Sequence, residues 1–193
     1  MKDNERSDAQ VFLPVRAAKS WFEGDLFVKL TPVLWGLGYV KRKQYIKGLL
    51  ALLFEAVTVL FTIFYGIPNI LQLSTLGTVK RETVYNPATL KNEVNDYDNS
   101  FLILLFGLIG VLVIVAAVII LMRMVAEARE LQKKAEANEH INTFREDVRE
   151  LFNQKFHTTL LSLPILGIVV FTVIPLIFMI LVAFTNYDQQ HMA

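Results

Sequence analysis

The sequence predicts an all-α membrane protein: three transmembrane helices, an N-terminal interfacial segment and an amphipathic cytoplasmic helical segment. Three observations predict it. Of the 193 residues, 54% are hydrophobic and only 19% charged, an apolar-rich balance for a soluble domain. The apolar residues gather in uninterrupted blocks at 49–67, 101–122 and 160–184 instead of recurring at core periodicity. Lysine and arginine crowd two of the three polar stretches beside those blocks. A net charge of +1 gives no electrostatic case for a nucleic-acid partner, and the absence of cysteine excludes disulfides, thiolate metal sites and cysteine nucleophiles.

Residues 1–47 are expected to form a cytoplasmic N-terminal or interfacial segment. The leader carries Asp3, Glu5 and Asp8 where a secretory signal would be basic, so it is expected to be retained. Residues 11–46 are interrupted by Lys19, Glu23, Asp25 and Lys29, yet they hold Trp21, Phe22, Phe27, Trp35, Tyr39 and Tyr45. Such a mixture suits a segment lying on the inner membrane surface, where rings meet lipid and polar edges meet water. A cytoplasmic cap packing its aromatics on a partner subunit fits equally well. Lys41-Arg42-Lys43 is read as a topology signal, and no specific lipid site is assigned to it.

Residues 48–67 form the first span, with a stop expected at Pro68. Glu55 is its one ionisable residue and a candidate buried intramembrane contact. It sits about 10 Å along the axis from Gly48, where an ionised carboxylate costs a few kcal/mol unless it is paired, protonated or wet. Either it lines a solute or proton path or it makes a packing contact. The contact is favoured, because no span offers a basic partner.

Residues 68–99 read as an extracellular loop with turns at Asn86-Pro87 and 95–99; the acidic cluster there lacks the spacing of a calcium loop. Residues 100–122 form the second span, in which the 22 charge-free positions from Phe101 to Met122 reach about 33 Å. Gly107, Gly110, Ala116 and Ala117 offer small surfaces for close helix approach. Residues 123–157 form the cytoplasmic helical segment. Met124, Ala128, Leu131 and Ala135, then Ile141, Phe144, Val148 and Leu151, recur at helical spacing, with Glu130 and Lys134 as an i,i+4 pair. The phase slips near Asn138, which predicts two helices or one bent helix, its apolar face covered by membrane or by a partner. Residues 158–184 form the third span, kinked by Pro164 and Pro175 around Gly167, and 185–193 begin an extracellular segment.

Nine basic residues precede the first span, three lie between the first and second, and seven between the second and third. Basic residues beside a span resist translocation, so the N-terminus is expected in the cytoplasm and the C-terminus outside, in a multi-pass protein of the cell membrane. His140, His157 and His191 are scattered, and no phosphate-binding loop, nucleophile elbow or dinucleotide fingerprint occurs. No catalytic or metal-binding residue is assigned, substrate-binding residues stay unknown, and the chain is not expected to be an enzyme.

Gly24-Asp25, Lys29-Leu30-Thr31-Pro32, Gly36-Leu37-Gly38 and Gln44-Tyr45-Ile46-Lys47-Gly48-Leu49, ending in Glu55, resemble the start of a maltose/maltodextrin-type ABC transporter permease. Pro175-Leu176-Ile177-Phe178 and Ala183-Phe184-Thr185-Asn186-Tyr187-Asp188 resemble the first core span of such sugar permeases. The resemblance implies one of two membrane subunits forming a solute path. Its partners would be a second permease subunit, cytoplasmic ATPase subunits that use the ATP, an extracellular sugar-binding protein and membrane lipid, with no cofactor on this chain. Permeases of this family carry further spans and a cytoplasmic E-A-A-x-x-x-G loop, which the 193 residues do not include; Glu127-Ala128-Arg129 and Glu136-Ala137-Asn138 are not that motif. The resemblance therefore implies an N-terminal fragment that does not transport alone. The rival reading is a three-span scaffold or sensory protein using the 123–155 helix to bind a partner.

Overall fold

The computed structural model describes residues 12–79 and 82–184. It is mostly helical, and three of its helices are long and apolar enough to cross a membrane: Tyr45–Gln72, Ser100–Glu136 and Phe156–Ala183. The chain is an all-α membrane protein. Two compact units divide it, residues 12–59 with 115–159 and residues 60–114 with 160–184.

In the first unit, helix α1 (Leu13–Glu23) carries a proline in its first turn, where a missing N–H costs nothing, and ends at an extended Gly24. Asp25 caps the short α2 (Leu26–Leu30) by accepting the Val28 N–H at 2.9 Å. After α3 (Leu37–Val40) the chain turns through Lys43 at φ 63° into α4 (Tyr45–Phe61). This unit also holds the second half of α6 (Ser100–Glu136), which ends where Asn138 adopts a left-handed φ of 52° and the Glu139 N–H reaches back to the Lys134 carbonyl. A capping box of Thr143 and Glu146 then opens α7 (Phe144–Phe152). The phase slip near Asn138 is thus a true break between two helices.

Residues 12–46, the described part of the stretch expected on the membrane surface or on a partner subunit, also pack on their own chain. Val28 is fully buried against Val125 and Ala128 of α6, while Trp35 and Tyr39 are buried with Ala51, Ala117 and Leu131. Gly38 permits the approach, since a Cβ there would sit 2.7 Å from that of Ala128. The sequence pattern hid this packing because the contacts are long-range and follow no single period. Trp21, Phe22 and Tyr45 stay exposed.

In the second unit the helix does not stop at Pro68. A π-helical segment, Thr62–Gly66, follows α4 and leads into α5 (Ile67–Gln72), so Pro68 falls in the first turn of a helix whose wider preceding turn accepts it. The third span repeats the device: α8 (Phe156–Ile168), which holds Pro164, passes through π-helical Val169–Val173 into α9 (Ile174–Ala183), placing Pro175 in the same position. The expected span end at 67 ignored this register shift. Gly66 and Gly110 pack closely, a Cβ on Gly110 lying 3.4 Å from the Gly66 Cα, and Gly107 is covered by Leu73. Phe101 meets Phe178 edge-on at 4.9 Å. The loop region contains a hairpin, β1 (Thr83–Asn86) against β2 (Lys91–Val94), antiparallel with Thr83 opposite Val94. Asp98 accepts the N–H groups of Thr78 (2.8 Å) and Val79 (3.0 Å), which holds its carboxyl below the usual carboxylate range.

Candidate functional site

Polar residues within the first unit form a junction where α1 to α4 meet α6 and α7. Lys47, in the first turn of α4, lies 3.0 Å from Glu127 Oε1 and 2.5 Å from Asp147 Oδ2. The Tyr39 hydroxyl donates to the other Glu127 oxygen at 2.8 Å, and the Lys47 ammonium stands 5.9 Å from the Tyr39 ring centre. Burial first, then the charge and hydrogen bond of Glu127, push the Tyr39 phenol well above its ordinary pKa, so it stays a donor. Gln44 donates to the Asn142 carbonyl at 2.8 Å, and Asn142 in turn donates to Asp147 and Glu150 at 3.2 and 3.3 Å. The connection between α6 and α7 is thereby fixed to the start of α4.

A second pair lies nearby. Arg42 is buried and donates to Asp25 Oδ2 and to the Gly38 carbonyl, each at 2.9 Å. Burial works against the Asp25 charge, but the Val28 N–H and the Arg42 guanidinium outweigh it and leave the carboxyl below its ordinary range. The Asp25 N–H donates to Gln132 Oε1 at 2.9 Å. Arg42 thus clamps Asp25 to the Gly38 carbonyl, a contact that its reading as part of a topology signal did not include; its neighbour Lys41 lies over the Phe27 ring at 4.9 Å.

Glu55 accepts the backbone N–H of Trp35 at 3.1 Å through Oε2, and it is half-buried. Its partner is a main-chain donor of the N-terminal segment, so no intramembrane base is needed. Glu130, expected to pair with Lys134, is bonded to Arg16 of α1. His140 pairs with Glu146 at 3.1 Å, His157 is exposed, and His191 lies outside the described residues, as do 185–188 of the C-terminal resemblance. Among the described residues no group of histidine and carboxylate side chains could hold a metal.

A cavity of about 900 Å³ opens beside the junction, with Arg16, Arg123, Glu127, Lys134, Asp147 and Lys155 among its lining residues. Sequence reasoning missed Lys47, Glu127 and Asp147. The available signal was Lys47 itself, held within Gln44-Tyr45-Ile46-Lys47-Gly48, since a lysine entering an apolar helix needs carboxylates nearby.

The residues behind the permease resemblance are the ones that make these contacts: Asp25 and Gln44 bridge segments, Gly36 and Gly48 abut, Gly38 meets Ala128, and Lys47 and Glu55 each hold a second element. Comparison with known proteins agrees. The chain is 29% identical over 163 residues to the galactooligosaccharides transport system permease protein GanP of Bacillus subtilis. It is 28% identical over 166 residues to the maltodextrin transport system permease protein MdxF of the same organism, and 26% over 165 residues to the maltodextrin transport system permease protein MalC of Streptococcus pneumoniae. Each match covers 84% of this chain, and the chain spans about a third of the length of these relatives (34–35%). No family model matches the chain, and no solved structure does. The relatives are permeases and not enzymes. Over most of its length, then, the chain is similar to the permease proteins of sugar transport systems.

Proposed function

We propose that this chain provides part of a membrane permease subunit of an ATP-driven sugar importer, with a maltodextrin-like oligosaccharide as the transported solute. The observation that carries the reading is that residues resembling a maltodextrin-type permease hold the N-terminal segment in place: Asp25 and Lys47 fasten it to the second span helix, and Glu55 fastens Trp35 to the first. In this reading the first two spans are scaffold, and the junction keeps them in fixed register while other helices open and close around the sugar. Solute contact is assigned to none of the described residues. The polar junction and the 123–157 segment face the cytoplasm, where ATPase subunits act, and the hairpin faces outward, where a binding protein delivers sugar; the basic-residue distribution supports that orientation.

The scaffold or sensor alternative rested on a free amphipathic helix after residue 123. Val28, Trp35 and Tyr39 of the same chain cover Val125, Ala128 and Leu131 of α6, so an output partner would be left with α7, where Leu151 and Phe152 are exposed. Disrupting the coding region of this chain in its host is expected to abolish ATP-dependent accumulation of radiolabelled maltodextrin. Undiminished uptake of both maltodextrin and galactooligosaccharide would overturn the proposal.

A further inference from the structure

Three basic residues of the charged cavity stand at the ends of the three apolar blocks. Lys47 shortly precedes the block 49–67, Arg123 directly follows 101–122, and Lys155 immediately precedes the helix Phe156–Ala183. With these helices read as membrane spans, on which this inference rests, the cavity lies at the level of lipid headgroups. Its lining holds five basic side chains and four carboxylates. The carboxylates are committed: Glu130 to Arg16, Glu127 and Asp147 to Lys47, and Glu150 to Lys155 at 2.9 Å. Among the described residues, Arg123 and Lys134 have no such counter-charge.

Leu151 lines the same cavity and is exposed, and the neighbouring Phe152 and Phe156 are exposed as well. A cation without a carboxylate, a space large enough for a headgroup, and apolar side chains at its edge match an amphiphile with a phosphate. They do not match a sugar, which would ask for aromatic stacking and neutral donors, or a free inorganic anion, which would have no use for the leucine and phenylalanines. We propose that this cavity binds the headgroup of an anionic phospholipid, with the phosphate held by Arg123 and the acyl chains leaving past Leu151 and Phe156.

The test is native mass spectrometry of the whole purified chain in detergent, stripped of lipid and titrated with phosphatidylglycerol or phosphatidylcholine of identical acyl chains. The expected result is one tightly held phosphatidylglycerol, a preference over phosphatidylcholine of about ten-fold, and loss of that preference in R123Q and in K134Q. K91Q, in the hairpin, is expected to bind as the parent does. Equal binding of the two lipids would overturn the proposal, as would an unchanged preference in R123Q and K134Q variants whose helical circular dichroism matches the parent. So would displacement of the lipid by an equimolar amount of inorganic phosphate, which would mark a simple anion site. Because no transport is measured, a negative result leaves the permease proposal standing and removes only the lipid site.

Discussion

The carboxylate of Glu55, the one acidic residue of the first apolar block, accepts the backbone N–H of Trp35 at 3.1 Å. An acid that would be costly alone in lipid thus serves as the anchor for a main-chain donor, and Trp35 itself is buried and packs against Phe54, one residue before the acid. The pairing explains how an acidic side chain is accommodated there without a basic partner. It also separates two variants. E55Q keeps an acceptor oxygen and is expected to change stability little. E55A leaves the Trp35 N–H unpaired and is expected to cost about 1–3 kcal/mol, read as a lowered melting temperature in detergent; equal melting of E55A and the parent would refute the anchor.

Lys47 stands between two carboxylates, and removing it leaves Glu127 and Asp147 facing each other. K47Q is expected to destabilise the chain by about 1–3 kcal/mol. The triple variant K47Q/E127Q/D147N should recover a good part of that loss, because it removes the like-charge repulsion along with the bridge. Thermal melting of the parent, single and triple variants measures this; a triple variant worse than the single would contradict the bridging role.

Two glycines make opposite predictions. A methyl group on Gly36 runs into the carbonyl oxygen of Gly48, whereas one on Gly167 meets nothing within 4 Å. G36A is expected to cost about 1–3 kcal/mol by forcing the N-terminal segment off α4. G167A, in a helix, is expected to be neutral or to gain up to about 1 kcal/mol from propensity. Limited proteolysis between residues 12 and 44 distinguishes them, with G36A cut faster than the parent and G167A unchanged.

Acid should release the N-terminal segment. The Asp25 carboxyl lies below its ordinary range, opposed by burial but held there by the Val28 N–H and Arg42. A group with a depressed folded pKa contributes stability that is fully present above its unfolded pKa and lost as pH falls through the folded one. The loss therefore falls below about pH 4. The only two tryptophans, Trp21 and Trp35, both sit in this segment, so its release is read as a red shift of tryptophan emission. R42Q removes the guanidinium and should move that transition to higher pH; a transition unmoved by R42Q would show that Asp25 is not what acid titrates.

The sequence made the three spans legible because some twenty residues without charge have few other uses. It made Glu55 legible as a residue in need of a partner, though not the partner itself, since a backbone N–H leaves no trace in residue type. It hid the path through Pro68, where proline normally ends a helix and a π-helical turn at Thr62–Gly66 carries this one onward. The packing of residues 12–46 was hidden for a different reason. Val28 on Ala128 and Gly38 on Ala128 are contacts across about a hundred residues; the period of α6 marks Ala128 as facing something, and nothing in residue type says that it faces Val28 and Gly38. The Arg42 clamp was hidden because a basic residue beside a span reads as an orientation signal whatever else it does, and only the fold brings Asp25 to it.

The proposed topology has three helices crossing the membrane, with the polar junction on its cytoplasmic side and the hairpin outside. Since the chain contains no cysteine, single cysteines placed at exposed Ala18, Ala88 and Asn153 can be probed with a membrane-impermeant maleimide. In intact cells A88C should be labelled at once, and A18C and N153C only after the membrane is permeabilised. Labelling of A18C or N153C in intact cells, or protection of A88C until permeabilisation, would contradict it.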